Sequence, residues 1–160
     1  MKYRRDDNWN PLPHVQDVTG VAWALHADPK SIPEVPVQTL HHDRDDIDLV
    51  VSLNIASQLP VTPAVWLDRH GTHSDQALAN LKHDLVWRHL EWLRGFRCPA
   101  LLICDREWQM LDPAGRLTGS EDPMHQLPLP EAFSEWFWNV APLHETGAGY
   151  ARRNRVGACE

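Results

Sequence analysis

Two runs of this sequence are apolar on both of their faces, and the stretch between them is long enough for one helix. The first is Asp48-Leu49-Val50-Val51-Ser52-Leu53; the second is Ala100-Leu101-Leu102-Ile103-Cys104, ending at Asp105. Short β-branched runs without polar alternation are read as strands covered on both sides, as in a parallel sheet. Parallel neighbours need a crossover of roughly a dozen residues or more. Gln76 to Arg94 supplies one. At 100° per residue, Leu78, Leu81, Leu85, His89, Trp92 and Leu93 fall on one stripe, widened by Val86 and Leu90. Asn80, Asp84, Glu91 and Arg94 lie opposite. Ser74 is placed to cap the start and Gly95 the end. The predicted unit is therefore βαβ, with the amphipathic helix packed on a sheet.

The flanking segments read less sharply. Residues 1–17 are polar and Pro-containing, an irregular arm. Residues 18–160 are expected to form a single α/β domain, since 160 residues make one core but not two. Val21-Ala22-Trp23-Ala24-Leu25 reads as a short strand and Val35 to Leu40 as a second. Pro29, Pro33 and Pro36 bar a long helix between them. Thr62-Pro63 looks like an N-cap with Pro at N1, opening a helix through Leu67. Asp112-Pro113-Ala114-Gly115 has the signature of a type I turn, folding Trp108–Leu111 back on Arg116–Thr118. Residues 119–131 are a Pro-rich loop. Glu135 to Val140 alternates, with Trp136, Trp138 and Val140 on one face. Tyr150 to Cys159 reads as a last strand, and Arg152, Arg153 and Arg155 suggest that it is an edge.

Charge excludes some classes of partner. Fifteen Lys and Arg against twenty-two Asp and Glu give −7, which argues against a nucleic-acid backbone or an anionic membrane as the target. No apolar run approaches the roughly 20 residues that span a bilayer. The basic start, Met1-Lys2-Tyr3-Arg4-Arg5, has no apolar run behind it, so it is not read as a signal peptide. Cys98, Cys104 and Cys159 are odd in number and lack CxxC spacing. They are expected to be small buried hydrophobes of a cytoplasmic protein.

No GxSxG, P-loop or GxGxxG motif is present. Gly147-Ala148-Gly149 follows a loop rather than a strand and is not a phosphate cradle. His41-His42-Asp43 and His70-Gly71-Thr72-His73 resemble fragments of a metal site, but neither completes a ligand set, and no metal is expected. In an open α/β sheet, ligands bind beyond the carboxyl ends of the strands. That rim carries Ser52, Asn54, Ser57 and Gln58, the candidate cofactor-binding residues, and Asp105-Arg106. Trp87, an aromatic on the polar face of the long helix, is the candidate partner contact.

The run Asp48 to Pro60, of the form DLVVS-x-N-x-x-SQLP, resembles the fourth-strand region of class I S-adenosylmethionine-dependent methyltransferases, in a bacterial branch of that superfamily. Similar too are His89–Arg94, Leu101–Asp105, the Asp112–Gly115 turn and Trp136–Pro142. The resemblance spans about residues 45–158. It implies the second half of a Rossmann-like domain: strand four, its helix, strand five, then a C-terminal antiparallel hairpin. It also implies S-adenosylmethionine as cofactor. The Gly-rich turn that follows strand one in such enzymes has no counterpart here, so the sheet is expected to be truncated.

Three readings follow. The first is a methyltransferase-like pseudoenzyme without autonomous cofactor binding, acting through a protein partner or a homodimer. The second is a methyltransferase completed by dimerisation or by a partner. The third is a small metal-dependent enzyme built on the His clusters.

Overall fold

The computed structural model describes residues 17–146 and 149–160. The arm at residues 1–17 thus lies outside the described residues except for Asp17, as do Gly147 and Ala148. The elements are α1 (Ala22–Ala27), β1 (Val50–Leu53), α2 (Val61–His70), α3 (Asp75–Arg94), β2 (Ala100–Leu111), β3 (Leu117–Glu121), β4 (Ser134–Ala141), α4 (Leu143–Thr146) and β5 (Ala151–Cys159). They form an α/β structure with one curled mixed sheet of five strands, ordered β1-β2-β5-β4, with β3 paired to β2.

The predicted βαβ unit is present. β1 lies parallel to β2, with Val50 opposite Ala100 and Leu53 opposite Ile103. α3 is the crossover. The Ser74 hydroxyl accepts from the Ala77 amide and so caps the first turn. Leu81, Leu85, Val86, His89, Leu90 and Leu93 are buried along its length. Asn80, Asp84 and Arg94 are exposed. The 3.6-residue spacing thus decided both the element and its buried side.

α3 serves two clusters. Its first half, through Leu81 and Leu85, packs with Val21, Leu25 and Val35 and with Leu67 of α2. Its second half, through Val86, Leu90 and Leu93, packs with Leu102 and Cys104 of β2 and with Met124 and Leu127.

The β2–β3 hairpin turns where expected. The Gly115 amide donates to the Asp112 carbonyl at 2.8 Å. The Asp112 carboxylate accepts from the amides of Ala114 and Arg116 at 2.9 Å each. Gly115 sits at φ +78, which an L side chain adopts only under strain.

Several expectations need correction. Val21–Leu25 is not a strand: Ala22–Ala27 is the helix α1. A five-residue apolar run is too short to distinguish the two periods, and here it buries Leu25 against α2 and α3. Val35 to Leu40 carries no strand. Val35 is buried in the helix cluster, and Pro36 lacks the amide a ladder requires. α2 begins at Val61 with Pro60 in the N-cap position, and runs on to His70. β5 is interior rather than an edge, antiparallel to both β2 and β4. Its arginines are matched across the sheet instead of facing water. Arg155 bonds Glu107 and Glu135, and Arg153 bonds the Gln109 side chain.

Because one helix holds both clusters, Leu85→Ala should cost about 2–5 kcal/mol, whereas Asn80→Ala on the exposed face should stay within about 0.5 kcal/mol. Chemical denaturation of the two variants checks this. Equal midpoints would contradict the packing described.

Candidate functional site

β1 ends in a compact turn. Asn54 follows the strand with φ +52, and its amide donates to the Ile103 carbonyl at 2.6 Å. The left-handed conformation ends the pairing with β2 and turns the chain. The Gln58 and Leu59 amides both donate to the Ile55 carbonyl, at 2.9 and 3.1 Å. This turn buries Ala56 and Ser57.

The alternation of a strand separates the sequence-predicted residues. Ser52 points toward α3, where its hydroxyl lies 2.7 Å from Nε2 of His89. Both are buried. Burial pushes His89 down from 6.5 to about 4, so the imidazole is neutral at physiological pH. Its ring stacks on Trp92, 5.4 Å between centroids. Sequence reasoning had His89 on the buried stripe but did not connect it with Ser52. Two polar residues on facing apolar surfaces were the available signal.

Ser57 is turned elsewhere. Its hydroxyl stands 3.2 Å from the Asp105 carboxylate and 3.5 Å from the Asn54 side-chain oxygen. Carrying one proton, it donates to one of them at a time. The Trp108 indole donates to the same Asp105 oxygen at 2.9 Å. Asp105 is fully buried, and among the described residues its other oxygen has no hydrogen-bond partner. Asp105 stands two residues beyond Ile103, where the parallel pairing of β2 with β1 ends, so this group lies just past the carboxyl end of the β1–β2 pair. The rim rule locates that region from sequence; the burial of Asp105 it does not. Gln58 is exposed and donates to the Ser57 hydroxyl at 3.3 Å. It also lines a cleft of about 420 Å³ with Ile55, Thr62 and Trp66.

Trp87 is half-buried. It packs against the sheet-side cluster, with the Arg94 guanidinium 5.6 Å above its ring.

One histidine of each cluster is engaged in packing. His42 bonds the Trp92 carbonyl at 2.8 Å and meets Phe96 edge-on. His70 bonds the Trp66 carbonyl at 2.8 Å and stacks on Trp66. Among the described residues, no group of three or more His, Cys, Asp or Glu is arranged to hold a metal ion. The three cysteines are free thiols; Cys104 and Cys159 are buried, Cys98 partly so. Burial raises the Cys104 thiol to about 12. No helix among the described residues is long and apolar enough to cross a membrane.

The four residues proposed for S-adenosylmethionine do not fit that cofactor as a set. Ser52 bonds His89 beside the cleft along β1, and Ser57 bonds the Asp105–Asn54 group in the turn. Gln58 opens on a different cleft from Ser52. No protein-family model, curated protein or solved structure matches the chain.

The Ser52–His89 pair carries a pH signature. The folded state holds His89 near 4 against 6.5 when exposed, so the unfolded chain binds the extra proton between those values. Stability is therefore unaffected above 6.5 and falls as pH drops toward 4, by up to about 3 kcal/mol. Denaturation midpoints from pH 7 to 4 should fall less steeply in His89→Gln. An identical slope would show that His89 is not the group responsible.

Proposed function

We propose that this chain is a methyltransferase-like α/β protein that binds a partner chain through the free side of β1 and does not bind S-adenosylmethionine on its own. The observation that carries the reading is the position of β1. In the arrangement implied by the resemblance, the strand at β1 is interior. Here, among the described residues, its one strand neighbour is β2. The amides of Val50 and Asn54 point to β2, so by alternation those of Val51 and Leu53 point outward. Leu49, Val51 and Leu53 are 56%, 47% and 67% exposed. An apolar edge strand with unpaired backbone groups is a template for another strand.

Two further features support the reading. A parallel β1–β2 pair, continued by β5 and then β4 with β5 antiparallel to both neighbours, is compatible with strands four and five followed by the hairpin. The sequence also has no Gly-rich turn after a strand, and the four rim residues point to different places.

Calorimetric titration with S-adenosylmethionine should show no heat up to millimolar concentration. Micromolar binding would favour an autonomous methyltransferase instead. Light scattering after size exclusion should show dimers that grow with concentration, since a free apolar edge pairs with itself when no other chain takes it. Leu53→Lys should weaken that association about tenfold or more, equivalent to about 1.4 kcal/mol, without lowering the melting temperature. A monomer at every concentration would overturn the proposed edge.

A further inference from the structure

A cleft of about 360 Å³ opens along β1, between the strand and the segment carrying Val18 and Leu40. Its size falls within the range of small-molecule sites. Val51, Leu53 and Ile55 contribute apolar lining, and Trp92 an aromatic one. Ser52 and His89 also line it, hydrogen-bonded to each other. Ser52 is 3% exposed and His89 8%. A hydroxyl and an imidazole sharing one hydrogen bond retain unused capacity: the hydroxyl can take or give a second bond on the cleft side.

Among the described residues, none that lines the cleft is charged at neutral pH. Apart from Ser52 and His89, the polar groups lining it among the described residues are the Gln38 side chain and the Trp92 indole N–H, which is already bonded to the Leu40 carbonyl. A charged ligand would lose its hydration without gaining a counter-ion. An uncharged ligand with one hydroxyl would satisfy the pair and bury the rest of its surface against the aliphatic and aromatic lining.

We propose that this cleft is a binding site for a small, uncharged, mainly apolar molecule bearing a single hydroxyl group, which hydrogen-bonds to the Ser52–His89 pair. The site does not need a partner at β1, but Val51 and Leu53 belong to both, so a strand paired there would compete with the ligand. It also differs in chemistry from a site for S-adenosylmethionine, whose sulfonium and amino-acid groups are charged.

Three probes of one shape test it: 2-naphthol, the charged 2-naphthoate, and naphthalene, which has no polar group. Binding to the full chain at pH 7 can be followed by ligand-observed NMR and by Trp fluorescence. The expected order is 2-naphthol tightest, with naphthalene and 2-naphthoate at least several-fold weaker. Ser52→Ala should reduce 2-naphthol affinity about three- to tenfold and leave naphthalene unchanged. Ser52→Thr, which keeps the hydroxyl, should restore most of the loss. Val51→Trp, a substitution at an exposed position, should block all three probes while circular dichroism reports an unchanged melt. The proposal is overturned if 2-naphthoate binds as well as 2-naphthol, if Ser52→Ala binds 2-naphthol like the parent chain, if Val51→Trp still binds, or if 2-naphthol does not bind. A monomeric protein that nonetheless binds 2-naphthol would uphold this site while removing the proposed β1 partner.

Discussion

The buried stripe of α3 is the contact on which the rest of the molecule depends. Its two halves do different work. Leu81 and Leu85 hold α1, α2 and the segment around Val35 together. Val86, Leu90 and Leu93 hold the sheet through Leu102 and Cys104. Within the second half sits His89, the one polar side chain buried on the helix. It bonds Ser52 of β1 and stacks on Trp92, whose indole in turn donates to the Leu40 carbonyl at 3.0 Å. The strand edge, the helix and the segment before the sheet are thus tied at one point. A buried polar pair of this kind fixes register, because sliding β1 by one residue would move Ser52 to the opposite face and leave His89 unpaired.

Elements set by local periodicity were readable from the sequence, whereas those set by distant partners were not. α3 declared itself through twenty residues of consistent spacing, a Ser cap and a terminal Gly. The β2–β3 turn was fixed by the residues of the turn itself. β5 was legible as a strand but not in its place. Three arginines in nine residues resemble a solvated edge, until Glu107 and Glu135 arrive from β2 and β4 to meet Arg155. Neither carboxylate is near it in sequence. Val21–Leu25 failed for another reason. A short apolar run fits either period, and burial against α2 and α3 decided for helix.

The candidate site was partly legible on the same terms. The rim at the carboxyl ends of β1 and β2 could be located, because the two apolar runs mark both strands and their ends. Ser52, Asn54, Ser57 and Gln58 are near one another in sequence but are sent to different places, because a strand alternates and the positive φ of Asn54 then redirects the chain. Ser52 went to the helix side, Ser57 to Asp105, and Gln58 to the surface. Asp105 stood out in sequence only as the residue ending an apolar run. Its burial with one unpartnered oxygen is produced by Ser57 and Trp108 folding over it. A buried polar atom without a partner is costly, and the turn that covers Asp105 accepts that cost.

β4 and β1, at the two ends of the β1-β2-β5-β4 order, show how a chain treats an edge it leaves to solvent and one it leaves for something else. β4 is exposed throughout most of its length and carries Trp136, Phe137 and Trp138. These apolar rings are guarded by charge. The Arg153 guanidinium lies 4.3 Å from the Phe137 ring centroid, and Glu135 of the same strand pairs with Arg106 and Arg155. Charged groups on an edge oppose pairing with a further strand, because adding one would strip their water. Among the described residues, β1 has no such guard. Its residues are Val, Val, Ser and Leu, and the Ser is turned inward. The charges nearest in sequence, Asp45, Asp46 and Asp48, precede the strand rather than line it. Exposed apolar side chains at alternate positions, on a strand with outward amides, carry a solvation cost that a monomer gains nothing by keeping. The asymmetry between a guarded β4 and an unguarded β1 is what directs the proposed partner to β1, and it follows from side chains that the sequence places but that only the sheet order makes comparable.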